Sequence, residues 1–390
     1  MPKVNKIRKE FGEYYNNCLL MGFTDKAGCV VIDGYRVRKV RNDVELISIT
    51  KDIYKHLING EVVIPEYINI IGESAFQLSD ITFVRLPKWV KKIKSGAFSY
   101  CSFLKTVIIE GNVKEIAPRT FSDSSALKTV ILPTTIQIIR HSAFENCKRL
   151  EKIEGLSDNL REIAYKAFYN CANLQSIFLP DTLETIGESA FRNSGIEEIK
   201  LPNGIEVLPR ALLAGCKNLS ELIIPEGVKV IDEFAVYGCR NLKHVEFPNS
   251  LTRINGAAFK SCHSIEAIES LGNIESIGFE AFYNCSSLRR VCLPEGLKVV
   301  GEGAFEKCLA LNSVRVPTTV IKIGARAFKT ANVDPLILMA EEIDIFGDSF
   351  GAGCPRIYCP NFKFGCIFRG EVYKQEPSAD VIQEWKDKGK

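Results

Sequence analysis

Histidine, tryptophan and methionine are scarce: the 390 residues hold four histidines, two tryptophans and three methionines. His56, His141, His244 and His263 stand in no HExxH, triad-like or ligand-spaced context, so neither a catalytic centre nor a metal or cofactor site is expected. Long apolar runs are missing as well, since no stretch approaches the ~18 consecutive residues of a membrane-spanning helix. Nor is one sign of charge in excess. Fifty basic against 47 acidic residues leave a net +3, which points neither to nucleic acid nor to an anionic membrane surface. After the basic start MPKVNKIRKEFGEYYNNCLLMGF the apolar run is only Cys18 to Gly22, too short for a secretory signal, and a cytoplasmic location is expected.

What the chain has instead is a period. An Ala-Phe-like pair returns thirteen times, with anchors at Phe76, Phe98, Phe121, Phe144, Phe168, Phe191, Leu213, Val236, Phe259, Phe282, Phe305, Phe328 and Phe350, and every step is 22, 23 or 24 residues. A fixed return of this length marks a solenoid whose units bury their apolar sides only against neighbours. Length then counts stacked rungs, and thirteen at strand spacing extend about 60 Å.

Cysteine falls under the same period. Of fourteen, eight lie three residues after an anchor (Cys101, Cys147, Cys171, Cys216, Cys239, Cys262, Cys285 and Cys308), and Ser79, Ser124, Ser194 and Ala331 take that place elsewhere. A site shared by Cys, Ser and Ala asks for a small buried side chain, so free thiols are expected. A ladder of disulfides between rungs is the alternative, opposed by those Ser and Ala replacements. Cys354, Cys359 and Cys366 lack CxxC spacing and a neighbouring histidine.

The unit Asn173 to Phe191 shows the rung's logic. Leu174, Ile177 and Leu179 alternate with Ser176 and Phe178 in the period-two pattern of a short strand, and Pro180 ends it. Leu183 and Ile186 mark a second extended segment. Gly187 then suits a corner needing positive φ or close backbone approach, and the Ala-Phe pair makes a short helical or 3₁₀ turn that drives a ring inward. Gly301-Glu-Gly303 is one such corner and not a phosphate loop. The sequons at Asn218-Leu-Ser220 and Asn284-Cys-Ser286 fall on the rung's recurring positions.

Repeated thirteen times, L-x-x-I-x-L-P-x-x-L-x-x-I-G-x-x-A-F-x-x-C resembles the leucine-rich repeat of the BspA-like (Treponema pallidum type) family over residues 61 to 355. The resemblance implies a right-handed, β-rich leucine-rich repeat coil, with two narrow parallel sheets or one sheet with turns opposite. It also implies a non-catalytic protein that binds other proteins, and it makes a cell-surface or secreted adhesin the alternative to a cytoplasmic scaffold. Leu213 and Val236 replace the ring, so packing near them is expected to be lighter or rearranged. Residues 1–60 read as an N-terminal cap with a hairpin at Asp33-Gly34, and 356–390 as a C-terminal cap and tail with a last degenerate strand at Ile357.

Function is then sought where rungs differ. Residues flanking the inward Ile or Val of the first strand point outward and stack in two columns. Ile108, Ile131, Phe178 and Ile223 are apolar there, Glu198 is set against Glu221, and Glu246 against Glu269. Lys200 and His244 are placed to neutralise these acids. Against that ordinary solvated face stands an interface: Phe178 and Ile223 as anchors among Lys152, Glu154, Glu198, Lys200, Glu221, His244, Glu246 and Glu269, with Arg290 and Arg315 as a basic pole. The expected partner is a protein ligand bound by a monomer through the strand face. A competing enzyme reading would draw on His56, Cys359 and Cys366 in the nonperiodic ends.

Overall fold

The structure, a computed structural model, describes residues 10–18, 21, 24–55, 57, 61–312, 314–331, 333, 336–340, 343–346, 348–350, 357–358, 366–368 and 371–373. Two compact units divide the chain, Met1–Gly204 and Ile205–Lys390. Each is a β-solenoid with very little helix, and six anchors fall in the first and seven in the second.

In the first unit residues 10–18 are helical and bury Phe11, Tyr15 and Cys18, the i, i+4, i+7 stripe of an amphipathic helix. The Phe11 ring stacks on Tyr67 at 4.6 Å. Strands Val30–Ile32 and Tyr35–Val40 form the expected hairpin, turned by Asp33 and Gly34 at φ 49° and 84° as a two-residue type I′ loop requires. The next strand, Asp43–Ile49, pairs antiparallel with the hairpin and parallel with Ile70–Ile71, so the nonperiodic segment joins the repeat sheet directly.

Two narrow parallel sheets follow, as one of the two sequence alternatives had it. The first carries Glu61–Val63, Phe83–Leu86, Thr106–Ile109, Thr129–Ile131 and Lys152–Glu154, with Val84, Val107 and Val130 in register and fully buried. The second carries the two-residue strands, among them Glu115–Ile116, Ile138–Ile139, Glu162–Ile163 and Thr185–Ile186. The unit from Asn173 corrects the sequence reading. Leu174 and Leu179 are buried while Ser176 and Phe178 are exposed, yet residues 174–180 form no strand. The rung from Phe144 to Phe168 is 24 residues, longer than its neighbours, and the surplus falls at Gly155, where φ is 86° and a Cβ would lie 1.8 Å from the Leu132 carbonyl. Ladder pairing of the first sheet stops there.

In the second unit the second-strand sheet is unbroken, from Val207–Leu208 through Val230–Ile231, Arg253–Ile254, Ser276–Ile277, Val299–Val300 and Lys322–Ile323 to Asp344–Ile345. The first-strand ladder is in pieces: Glu221–Ile223 with His244–Glu246, Ala267–Ile268 with Arg290–Val291, and Val314–Val316 with Leu336–Leu338 and Ile357–Tyr358. The last of these is the degenerate strand expected at Ile357. Cys366–Phe368 and Glu371–Tyr373 add an antiparallel pair.

The Ala-Phe corner is more than a 3₁₀ turn. Amides one before, one after and three after Phe76 close turns within the rung, on Gly72, Ser74 and Phe76, whereas those of Ser74, Phe76 and Leu78 donate to Ser95, Ala97 and Ser99 of the next rung. Alternate peptides therefore face along the stack, a third hydrogen-bonded ladder. The flip requires left-handed residues two before and two after the anchor, and they occur from Ser74 and Leu78 (φ 53° and 60°) to Arg326 and Thr330 (57° and 61°). Among the described residues Lys51–Lys55 is the single 3₁₀ helix.

Rings stack from Phe76 to Phe191 at 4.9–5.5 Å and again from Phe259 to Phe350 at 5.2–5.9 Å, nearly parallel throughout. Where Val236 offers no ring, Phe247 packs edge-on against Phe259 at 5.5 Å, which is the rearrangement expected there. The cysteine position has a job beyond smallness. Cys101, Cys147, Cys171, Cys239, Cys262, Cys285 and Cys308 each donate Sγ–H to the backbone carbonyl of the preceding anchor, at 3.0–3.3 Å. Ser124 does the same with Oγ, at 2.7 Å to Phe98. Each serves as a free thiol or hydroxyl.

Candidate interaction surface

The inward residues of the first strands fix where their neighbours point. Val245 and Leu222 are buried, so His244, Glu246, Glu221 and Ile223 face solvent. Of the four apolar side chains at outward positions, Ile108 and Ile131 are only half exposed, partly covered by their ladder neighbours. Phe178 and Ile223 are the exposed pair, at 59% and 54%. Phe178 belongs to the first unit and Ile223 to the second.

Ion pairs sort the charges differently from the sequence expectation. In the first unit Lys152 pairs with Glu154 along its own strand, and Lys200 reaches Asp181 at 3.6 Å and not the glutamates of the columns. Lys200 is therefore not the neutralising cation it was expected to be. Glu198 is exposed, and Glu198 and Glu221 fall in different units. In the second unit Glu269 pairs with Arg290 at 2.6 Å and Arg315 with Glu295 at 3.6 Å, so the basic pole is spent on local acids. No ladder pairing joins His244–Glu246 to Ala267–Ile268, so the stacking of Glu246 on Glu269 is not built into the sheet. These exposed pairs contribute at most about 1 kcal/mol each.

One group stands apart. Glu221 and His244 are in-register partners on adjacent parallel strands, and Glu246 lies two residues beyond His244 on the same face. His244 Nε2 lies 3.2 Å from Glu246 Oε1, and a ligand atom of each of the three lies within 4.8 Å of the others. The lysines and arginines that serve Glu154 and Glu269 have no counterpart at Glu221 or Glu246 among the described residues.

Sequence reasoning missed the corner face. Tyr165, Phe279 and Tyr237 are exposed there at 46%, 50% and 38%, and Lys166 lies 5.1 Å from both Tyr165 and Tyr169 while Lys260 lies 4.5 Å from Tyr283. The signal was available: positions three before and one after the anchor vary as freely as the strand columns. Of the residues an enzyme reading would use, His56 and Cys359 lie outside the described residues, and Cys366 is described only as strand backbone. Burial pushes the Cys29 thiol above its ordinary value, opposite to what a nucleophile needs. No helix among the described residues is long and apolar enough to cross a membrane.

A family model described as BspA type leucine rich repeat region matches residues 47–163, 150–266, 210–335 and 252–364. Among solved structures, a leucine-rich repeat protein from Bacteroides ovatus is similar at 23% identity and a TM-score of 0.56, over 84% of this chain and 92% of that one. A leucine rich cell surface protein from Faecalibacterium prausnitzii is similar at 19% identity and a TM-score of 0.50, over 86% and 94%. At these identities the likeness is one of fold. A search of curated proteins returned no match.

Proposed function

Because the chain belongs to the BspA-type leucine-rich repeat family, we propose that it is a non-catalytic protein-interaction scaffold whose strand faces bind a protein partner. Exposure of Phe178 and Ile223 supports this above all, since both are large apolar groups at positions the rung turns toward solvent. Each has polar or charged groups around it, Ser176 and Lys200 nearby in the first unit's sequence columns and Glu221, His244 and Glu246 beside Ile223 in the second. An apolar anchor with a polar surround is the usual composition of an interface core and rim. The acids around Ile223 favour a partner with a basic rim. In the same proposal residues 1–60 and 356–390 cap the repeat region 61–355 and the protein acts as a monomer.

The test is affinity capture with the full chain, followed by titration of the captured protein against Phe178→Asp and Ile223→Asp variants. A buried charge in place of an anchor is expected to weaken binding at least tenfold for the unit that is engaged. Recovery of the same partners at unchanged affinity by both variants would remove the strand face from consideration. A cell-surface adhesin is the second reading, favoured by similarity to a structure described as a leucine rich cell surface protein. Fractionation of the native cell separates it from a cytoplasmic scaffold.

A further inference from the structure

We propose that Glu221, His244 and Glu246 form a binding site for a divalent transition-metal ion of the zinc class. The three come from one two-stranded parallel sheet, Glu221–Ile223 with His244–Glu246, held over the buried Leu222 and Val245. In-register pairing sets Glu221 beside His244, and the period-two pleat returns Glu246 to the same face. The ligands thus stand on rigid backbone and need only side-chain rotation to converge.

The distances fit a shared ion. With bonds of ~2.0–2.2 Å to nitrogen and oxygen, neighbouring ligand atoms of a tetrahedral site lie about 3.4 Å apart. His244 Nε2 and Glu246 Oε1 are at 3.2 Å, and all three ligand atoms lie within 4.8 Å of one another. Side chains this exposed can close the remainder without disturbing the core.

Charge and ligand type point the same way. Glu154 is paired with Lys152 and Glu269 with Arg290, whereas no lysine or arginine pairs with Glu221 or Glu246 among the described residues. Two carboxylates and a neutral imidazole leave a net −2 that a divalent ion balances. The imidazole selects zinc-like ions over magnesium, which prefers oxygen donors alone. Three protein ligands leave at least one position open to water or to a donor from another molecule. The site does not depend on the interface proposed above.

The test is calorimetric titration of Zn2+ into the full chain carrying Cys292→Ser, Cys354→Ser, Cys359→Ser and Cys366→Ser, which removes as rival ligands the thiol exposed among the described residues and the three cysteines near the C-terminal end of the sequence. One saturable site is expected, weakened at least tenfold by His244→Gln and by Glu221→Gln, with circular dichroism confirming that both variants keep the fold. Mg2+ under the same conditions is expected to bind at least tenfold more weakly than Zn2+. The proposal is overturned by an absence of saturable Zn2+ binding, by unchanged affinity in the two variants, or by Mg2+ binding as tightly as Zn2+.

Discussion

At the scale of the residue, the rung cysteine is a hydrogen-bond donor whose proton matters. Burial is the chief cause that pushes the thiols of Cys101, Cys147, Cys171, Cys239, Cys262, Cys285 and Cys308 upward, Cys262 to about 12. An unfolded thiol ionises near ~8.5, so below pH ~8 both states are protonated and these groups leave stability unchanged with pH. Above that the unfolded chain releases protons the native chain keeps, and stability falls as pH rises toward 12, by up to about 1.4 kcal/mol per pH unit for each thiol. Urea midpoints at pH 8 and 10.5 are expected to drop less for Cys262→Ser than for the wild type. At pH 8 the serine variant, which keeps a donor to the Val236 carbonyl, is expected to stay within about 1 kcal/mol of wild type, and Cys262→Ala to lose about 1 kcal/mol more. Smallness at this site was legible from its Cys, Ser and Ala occupants. Donation was not, because the acceptor lies a whole rung away in sequence.

At the scale of the element, two kinds of glycine that look alike in sequence do different work. Gly278, Gly301 and Gly324 sit at the corner after the second strand, where a Cβ on Gly301 would lie 2.6 Å from the backbone of Gly278 and one on Gly324 2.4 Å from that of Glu302. Their need is close approach. Gly238 instead has φ 69° and open space around its missing Cβ, at a position where Asn146, Asn170, Asn193 and Asn284 adopt the same conformation. Thermal denaturation should therefore show Gly238→Asn close to wild type and Gly301→Ala destabilised by about 1–3 kcal/mol. Equal effects of the two substitutions would refute the distinction. The left-handed positions escaped the sequence reading because Leu78, Tyr100, Lys166 and Phe234 occupy them, residues with no such preference, and the ladder between rungs overrides propensity. The missing strand at 174–180 escaped it for a related reason: alternation in burial survives there without the hydrogen bonds that alternation usually accompanies.

At the scale of the whole molecule, the period made the architecture legible and left the surface hard to read. Column positions were found by counting from the anchors, and Phe178 and Ile223 are exposed as that counting required. Charge pairing was not countable, since Lys200 turns to Asp181 and Arg290 to Glu269 through rotamers that only the folded chain selects. Counting set Glu221, His244 and Glu246 side by side, but the approach of their ligand atoms to within 4.8 Å depends on rotamers that counting does not give. A further consequence follows from the contact between each Cys Sγ–H and the anchor carbonyl one rung back. Both joining surfaces of a rung are the same surfaces, so heredity can add or remove rungs as whole words without rewriting the text on either side. Deleting residues 283–305 would bring Cys308 onto the Phe259 carbonyl now held by Cys285, and that shortened chain is expected to fold cooperatively, whereas a deletion of half that length would break the register at the junction.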